Sequence, residues 1–240
     1  MSDPRARSFD AAAADYERHR PEYPADAIRW AAETLGLTRG ARVLDLGAGT
    51  GKLTRGLLAG GFDVVAVEPG GTMRAQLERV LPGVDVHEGS AEAIPLPDAS
   101  VDAVAAGQAY HWFDRRRALP ELHRVLRPGG GLALFWNWWD ARDPLQAELA
   151  ELLGFSLERS ADGLPASPWF RELGQATIES VREATPAEIV AREATTSAML
   201  VAEPAKREAL LDEVRRIASR HGEHFPLPQL TYVFAFERLG

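Results

Sequence analysis

The most constraining feature of this chain is the segment ARVLDLGAGTGKLT, residues 41–54. A short apolar run ends in Asp45 and Leu46 and is followed at once by Gly47, Gly49 and Gly51. Glycine removes the Cβ atom where a ligand must touch the backbone, and the free N–H groups of the helix that follows can hold a polar ligand. The segment therefore predicts a strand, a glycine loop and a helix that together bind a nucleotide-like ligand.

Two familiar nucleotide-binding patterns fit this loop poorly. A phosphate-binding Walker loop needs glycine, four residues, and then Gly-Lys-Ser/Thr, but Leu46 holds the first position and Leu53 the last. The dinucleotide pattern Gly-x-Gly-x-x-Gly fits Gly47 and Gly49 and then has Lys52 in place of the third glycine. The loop thus favours a ligand that offers a carboxylate and a ribose over one that offers a pyrophosphate.

Strand and helix patterns alternate from residue 24 to residue 138. Apolar runs predict strands at 42–47, 62–68, 84–89, 100–109 and 131–138, and amphipathic runs predict helices at 24–35, 51–61, 71–83 and 114–126. Apolar strands that alternate with helices in this way are typical of a parallel sheet covered on both faces.

The pattern changes after Trp139. Helices are predicted near 143–153 and 204–220, and two further strands at 176–183 and 229–239. The last run alternates Leu230, Tyr232, Phe234 and Phe236 with polar or small residues, as an antiparallel or edge strand does. The sheet is thus predicted to have about seven strands, and the helical stretches within 141–172 and 186–228 to lie over the carboxyl ends of the strands, where open α/β sheets bind ligands.

Composition limits the classes of partner. The 240 residues include 45% hydrophobic and 26% charged residues and carry a net charge of −8, which argues against coating of nucleic acid or anionic membrane. The absence of cysteine excludes disulfides, thiolate metal sites and cysteine nucleophiles, and the histidines lack ligand spacing, so no metal is predicted. With no signal peptide and no apolar run of about 18 residues, the chain is predicted to be cytoplasmic and to have no membrane partner.

Four stretches, in order, resemble five motifs of class I S-adenosylmethionine-dependent methyltransferases of the type 11 domain. They read VLDLGAGTGKLT, VVAVEP, GSAEAIPLPDASVDAV (which resembles two motifs) and LRPGGGLALF. The resemblance implies a Rossmann-like, doubly wound, seven-stranded and mostly parallel sheet with an antiparallel last strand and helical additions over the active site. It implies one domain, 1–240, with N-terminal cap helices in 1–40, a cofactor-binding core in 41–139, and the last strands and substrate-side helices in 140–240.

The same resemblance implies S-adenosylmethionine as the cofactor and assigns residues to its parts. The loop residues Gly47, Ala48 and Gly49 would hold the methionine part, and Glu68 would hold the ribose. The residues implied at the adenine are Pro69, Met73, Ala91 and Glu92, and those implied near the sulfonium are Gln108 and Ala109.

Two flanking stretches, FDAAAADYERHRPEYP and QAYHWFD, resemble a subgroup of small-molecule methyltransferases that includes the trans-aconitate methyltransferases. In that subgroup the N-terminal segment folds over the cofactor, so Tyr16 and Arg20 are implied to cap the cofactor and Tyr23 to reach the substrate. Two alternatives stay open: the arm only covers the sheet, or Arg20 neutralises an acidic methyl acceptor.

Three residues are candidates on the acceptor side. His111 follows the fourth strand and can act as a general base, which is needed only if the acceptor must lose a proton; alternatively it orients the YHWF stretch. Trp112 and Trp138 are candidates to face the substrate, since aromatic rings attract cations and form apolar walls. Trp136 and Trp139 also stand at predicted strand ends that should face the pocket, although alternation along the strand buries part of this group.

The resulting hypothesis is an enzyme that methylates a small organic metabolite on oxygen, nitrogen or a carboxylate by in-line displacement. Two alternatives remain: an oxidoreductase that uses a nicotinamide dinucleotide, and a cofactor-binding protein without methyl transfer. The sequence does not determine the acceptor or the oligomeric state.

Overall fold

The computed structural model describes residues 13–157 and 167–240. Its strands are β1 Arg42–Leu46, β2 Asp63–Glu68, β3 Asp85–Glu88, β4 Val101–Gly107, β5 Leu126–Trp138, β6 Phe170–Ala184 and β7 Phe225–Arg238. The α-helices in the described ranges are α1 Ala13–His19, α2 Ala25–Thr34, α3 Lys52–Ala59, α4 Gly71–Val80, α5 Arg115–Val125, α6 Pro144–Leu153, α7 Pro186–Ala194, α8 Ser197–Leu200 and α9 Pro204–Ser219.

The seven strands form one sheet in the order β3-β2-β1-β4-β5-β7-β6, mostly parallel and with antiparallel strands at the end of the chain, as predicted. Strand β1 pairs in parallel with β2 on one side and with β4 on the other. The chain order reverses between β1 and β4, and in open α/β sheets the crevice at this switch point, outside the carboxyl ends of the strands, is where ligands bind.

Apolar side chains cover both faces of the central strands. Within β1, Leu44 and Leu46 join one buried cluster and Val43 joins the other. The helix predicted at 24–35 forms as α2, and its Ile28 and Ala31 pack into the second cluster. Burial on both faces explains why these strands appear in the sequence as continuous apolar runs.

Three expectations for the later strands are corrected. Strand β5 begins at Leu126, directly after α5, and its pairing with β4 shifts in register between Val101 and Ala103, so residues predicted as a loop belong to the strand. Strand β6 begins at Phe170, before the predicted residue 176. Strand β7 lies between β5 and β6 and is not an edge strand, which is why residues 233–236 are buried on both faces.

The described chain divides into two compact units. The core unit comprises residues 21–137, 163–178 and 231–240, and the second unit comprises 1–20, 138–162 and 179–230. Residues 163–166 of the core unit and residues 1–12 and 158–162 of the second unit lie outside the described ranges. The assignment of 1–240 to one domain stays a prediction. No α-helix within the described ranges has the length and apolar character needed to cross a membrane.

Candidate active site

The glycine loop of the core unit joins the carboxyl end of β1 to the start of α3. Gly47, Gly49 and Gly51 all have positive φ, at 72°, 58° and 93°. A Cβ atom at Gly47 would lie 2.6 Å from the Cβ of Ala109, whereas one at Gly49 would meet no atom within 4 Å. Gly47 therefore permits the close approach of the segment that follows β4, and Gly49 borders open space.

Glu68, the last residue of β2, is buried and accepts hydrogen bonds from the backbone of the glycine loop and of the turn after β2. The backbone N–H of Gly49 donates to its Oε2 at 2.8 Å, and the N–H of Gly70 donates to its Oε1 at 2.8 Å. A carboxylate has about four acceptor positions, and these two backbone hydrogen bonds occupy two of them. The acidic side chain is thereby held against the glycine loop, and its predicted role at a ribose stays a prediction.

Asp45 is the last but one residue of β1 and was not among the predicted site residues. It is almost fully buried; the hydroxyl of Thr54 donates to its Oδ2 at 2.6 Å, and its Oδ1 has no hydrogen-bond partner among the described residues. Burial, together with the nearby Glu68 carboxylate, raises the pKa of Asp45 to about 7, although the Thr54 hydrogen bond acts in the opposite direction. A charged residue within a buried strand was the signal in the sequence.

The predicted adenine residues follow β2 and β3. Met73 and Ala91 are buried, and Pro69 is exposed. The Oε1 of Glu92 accepts a hydrogen bond at 2.8 Å from the backbone N–H of Asp114, the N-cap of α5. Glu92 therefore connects the loop that follows β3 to the start of that helix.

The segment after β4 carries Gln108, which has a φ of 54° in the left-handed region that non-glycine residues seldom adopt. Its N–H donates to the carbonyl of Phe135 at 2.9 Å, and its Nε2 donates to the carbonyl of Asn137 at 2.7 Å. These two bonds to β5 hold the unfavourable conformation in place. Such backbone conformations cluster at functional sites, and this one adjoins Ala109 and the glycine loop.

A 3-10 turn, Tyr110–Trp112, follows directly. Tyr110 is buried, and its ring packs edge-on against Phe113 and Trp136 with centroid distances of 5.7 and 6.3 Å. His111 is exposed, with its ring centroid 4.7 Å from that of Trp112. The turn thus fixes its first residue in the core and leaves the imidazole accessible, and Trp136, expected to face the pocket, packs instead in the core cluster.

Residues 21–23, which we call the strap, lie in the core unit beside the end of β5. The ring of Tyr23 packs edge-on against Phe135 at 5.8 Å, and a Cβ atom at Gly107 would lie 2.5 Å from the Tyr23 hydroxyl oxygen. The Nδ2 of Asn137 donates to the carbonyls of Pro21 and Glu22 at 3.4 and 3.2 Å. The strap is therefore fixed through both an aromatic contact and backbone hydrogen bonds.

The strap is held by side-chain contacts that the sequence did not predict. Asn137 also accepts a hydrogen bond from the hydroxyl of Thr231 at 2.7 Å, so it joins β5, β7 and the strap. The Oε1 of Glu22 lies 2.9 Å from the Nζ of Lys52 and 2.5 Å from an Nη of Arg55. Lys52, which in a Walker loop would hold phosphate, is engaged with a carboxylate here.

The remaining predicted residues belong to the second unit. The guanidinium of Arg20 lies 5.4 Å from the ring centroid of Tyr16 and donates from Nε to the hydroxyl and from Nη2 to the carbonyl of Thr195, both at 3.0 Å. Trp138 is half-buried, and its Nε1 donates to the carbonyl of Leu157 at 3.2 Å. Arg20 therefore caps the carboxyl end of α7, which is a structural contact that the sequence did not indicate.

Trp139 is a core residue of the second unit and not a pocket residue. It is 9% exposed, packs edge-on against Phe155 at 4.8 Å, and has the guanidinium of Arg192 5.1 Å from its ring centroid. The Nε of Arg192 lies 3.5 Å from the Oε1 of Glu193, and both residues are buried. Alternation along the strand predicted that part of the tryptophan group would be buried.

Proteins similar to this chain are known. A family model for a methyltransferase domain matches residues 44–134. An uncharacterized methyltransferase of Mycobacterium tuberculosis is 42% identical over 214 residues, which is 89% of this chain and 86% of that protein. This chain belongs to the class I S-adenosylmethionine-dependent methyltransferases. The membership confirms the predicted class and cofactor and leaves the nicotinamide alternative without support.

Two further comparisons concern this methyltransferase. A solved structure from Anaeromyxobacter dehalogenans, described as a type II methyltransferase, is 28% identical, covers 90% of this chain and 97% of that one, and has a TM-score of 0.71. A malonyl-[acyl-carrier protein] O-methyltransferase of Methylococcus capsulatus is 45% identical over 100 residues, which is 39% of this chain and 36% of that protein.

The core unit of the methyltransferase fits S-adenosylmethionine on its own geometry. The cofactor carries a ribose with two adjacent hydroxyls, and a buried carboxylate at the end of β2 is an acceptor suited to such hydroxyls. Open space beside the Gly49 Cα suits a ligand that approaches the backbone. Within residues 13–157 and 167–240, no group of three potential metal ligands comes together.

Proposed function

We propose that this methyltransferase transfers a methyl group to an oxygen, a nitrogen or a carboxylate of a small organic metabolite by in-line displacement. The observation that carries the proposal is the pairing of Lys52 and Arg55, the cations at the start of the helix after the glycine loop, with Glu22. The single carboxylate of Glu22 offsets one of these two positive charges, which weakens the attraction of this helix start for a nucleic-acid backbone. The net charge of −8 agrees with this interpretation.

Within this proposal, the cofactor lies along the glycine loop. Gly47, Ala48 and Gly49 hold its methionine part and Glu68 accepts the ribose hydroxyls. The proposed residues at the adenine are Pro69, Met73, Ala91 and Glu92; at the sulfonium they are Gln108 and Ala109; the proposed caps are Tyr16 and Arg20. Support comes from the buried, doubly fastened Glu68 and from the order of the motifs along the chain.

The cofactor supplies a methyl carbon activated by a positive sulfur, so the protein mainly has to position the acceptor. Holding two reactants in line at about 3–3.5 Å can supply about 7–11 kcal/mol of the barrier. His111 is the proposed group that takes a proton from a hydroxyl or amine acceptor, and its exposure leaves it accessible. Tyr23, Trp112 and Trp138 are proposed to contact the acceptor.

An acidic acceptor is the form of the proposal that the relatives favour. The Methylococcus protein is named as an O-methyltransferase of a malonyl group, which carries a carboxylate, and the flanking motifs resemble those of the trans-aconitate methyltransferases. A carboxylate acceptor has no proton to lose at neutral pH. For such a substrate, His111 would orient the acceptor and not act as a base.

Cofactor binding is tested by calorimetric titration with S-adenosylmethionine. The change Glu68→Ala removes the carboxylate, and since a hydrogen bond to a charged group contributes about 1.5–3 kcal/mol, we expect the dissociation constant to rise by about 10- to 100-fold per bond lost. Glu68→Gln is the matched control of equal size, which keeps one acceptor. Unchanged affinity in Glu68→Ala would remove this residue from the site.

The acceptor is sought by incubating the enzyme with a tritiated methyl donor and pooled metabolites. We expect label in small organic acids, and label confined to RNA or protein would contradict the proposal. Once an acceptor is known, His111→Asn separates the two roles of the imidazole. A general base predicts loss of kcat with an altered pH profile, and an orienting role predicts a changed KM with the pH profile intact.

A further inference from the structure

One edge of the sheet is formed by β6, which neighbours only β7 among the described residues, and the other edge is formed by β3. The strand is continuous from Phe170 to Ala184, and its odd-numbered residues from 171 to 183 are all exposed. Leu173 and Val181 on this face are 41% and 66% exposed. An edge strand presents a row of unpaired backbone N–H and C=O groups that can pair with another chain.

The sequence of β6 is complementary to itself when it is turned about Thr177. In an antiparallel pair of two copies centred there, Arg171 stands opposite Glu183, and Leu173 stands opposite Val181. On the other face, Glu172 and Arg182 stand opposite each other. Opposite charges and matched apolar side chains across an antiparallel pair each contribute about 0.2–1 kcal/mol.

The register centred on Thr177 matches opposite side chains better than the registers shifted by two residues. A shift of two residues in one direction places Leu173 opposite Glu179, and a shift in the other direction places it opposite Glu183. Both shifts set an apolar side chain against a carboxylate. Charged residues on edge strands often prevent pairing with other chains, but here the charges oppose only the shifted registers.

The ion pairs that charged residues of β6 form in the single chain lie at the surface, among them that of Glu179 with Arg142 at 2.7 Å. Arg171 pairs with Glu237 on β7 while its side chain stays 68% exposed, and Arg182 approaches Glu188 only to 3.9 Å. Exposed ion pairs contribute little, about 0–1 kcal/mol. They therefore cost little to rearrange when a second strand approaches.

We propose that β6 pairs with β6 of a second copy of this chain, antiparallel and centred on Thr177, to form a two-fold symmetric dimer. A ladder of 15 residues extends for about 50 Å. The contact is isologous, so it closes at two copies and does not propagate into a fibre. The proposal does not depend on the identity of the methyl acceptor.

Cysteine crosslinking tests the register directly, because the chain has no native cysteine. In the proposed dimer the two copies of residue 177 face each other with Cα atoms about 4.5–5.5 Å apart, within disulfide range. Residue 175 is two positions away, so its two copies lie four residues apart, or about 14 Å. We expect Thr177→Cys to form a disulfide-linked dimer of doubled mass under mild oxidation, and the control Gln175→Cys to form no disulfide-linked dimer in denaturing electrophoresis; equal crosslinking of the two, or none in either, overturns the proposal.

Charge exchange provides a second test on the protein without cysteine. Arg171→Glu sets like charges opposite each other twice in the symmetric dimer, and we expect the dimer dissociation constant in sedimentation to rise about tenfold, or about 1.4 kcal/mol. The double variant Arg171→Glu with Glu183→Arg restores opposite charges and should recover the dimer. A wild-type chain that sediments as a monomer at all concentrations, or a double variant as weak as the single one, contradicts the pairing.

Discussion

The two units each bury charged side chains, but they satisfy them differently. In the core unit, the buried Glu68 accepts hydrogen bonds from two backbone N–H groups, and the buried Asp45 accepts one from the hydroxyl of Thr54 through Oδ2, while its Oδ1 has no hydrogen-bond partner among the described residues. In the second unit, the Nε of Arg192 lies 3.5 Å from the Oε1 of Glu193. The Nε of the arginine and the Oε2 of the glutamate have no hydrogen-bond partner among the described residues. Burial lowers the pKa of Arg192 to about 10 and raises that of Glu193.

The difference lies in where the partners come from. The partners of Glu68 belong to the glycine loop and to its own turn, so they are placed by the backbone. The buried pair of the second unit depends on side chains, among them Trp139 against the guanidinium. A buried ion pair is weak support for stability, because desolvation can exceed the attraction between the charges. The core unit should therefore tolerate little change in its loop, and the second unit should tolerate replacement of its charges as a pair.

Removal of one member of the buried pair should have the largest effect. Arg192→Met leaves Glu193 buried without its cation, which we expect to cost about 3–5 kcal/mol of unfolding free energy. The double variant Arg192→Met with Glu193→Leu removes both charges and should recover most of that loss. Denaturant titration of both variants measures the two values, and an equal loss in both would show that packing, and not charge, holds this region.

The pKa of Asp45 predicts a pH dependence in the core unit. The folded pKa of about 7 lies above the ordinary value of 3.8, so the folded state binds the proton more strongly. Its contribution to stability is fully present below about pH 4 and is lost as the pH rises through 7, and the unfolding free energy falls by about 1.4 kcal/mol for each step of one in pH between these limits. The difference in unfolding free energy between the wild type and Asp45→Asn, measured from about pH 4 to about pH 8, should follow this fall; a constant difference would contradict it.

A substitution at Gly47 separates backbone strain from steric conflict. Gly47→Ala places a Cβ atom 2.6 Å from the Cβ of Ala109, and we expect a loss of about 1–2 kcal/mol for the left-handed conformation plus about 1–3 kcal/mol for overpacking. Gly36→Ala is the control, since φ there is also positive, at 65°, and no atom lies within 4 Å. Thermal unfolding should show the smaller loss for Gly36→Ala. A second change, Ala109→Gly, removes the Cβ atom in conflict and should abolish the extra loss of Gly47→Ala over Gly36→Ala. If the extra loss remains, the contact with Ala109 is not its cause.

The smallest effect is expected at Glu22. Its carboxylate is half exposed and pairs with Lys52 and Arg55, so Glu22→Gln should cost at most about 1 kcal/mol. High salt screens such pairs, and the difference from the wild type in thermal unfolding should vanish in about 1 M salt, where the Debye length is about 3 Å. A loss that persists in salt would mean that the carboxylate contributes through its hydrogen bonds.

The sequence predicted β1 to β4 to within about two residues because each is a continuous apolar run beside a turn or a helix start. It predicted the glycine loop between β1 and the next helix because the glycines directly follow the strand in the chain, and the role of Glu68 at the ribose stays a prediction. It did not predict that β7 would be inserted beside β5, because alternation along one strand does not identify its neighbours. It also missed Asn137, whose hydrogen bonds reach back 115 and 116 residues and forward 94.

The sequence by itself determined the methyltransferase class and its cofactor, and it predicted the glycine loop that we propose holds that cofactor. These follow from local requirements: glycines where φ is positive, and a buried acid at the end of the next strand. Only the tertiary structure decided which groups meet over long separations, such as Arg20 with Thr195, 175 residues apart. Local backbone geometry is fixed by neighbouring residues, whereas pairing between distant segments depends on the packing of the whole chain.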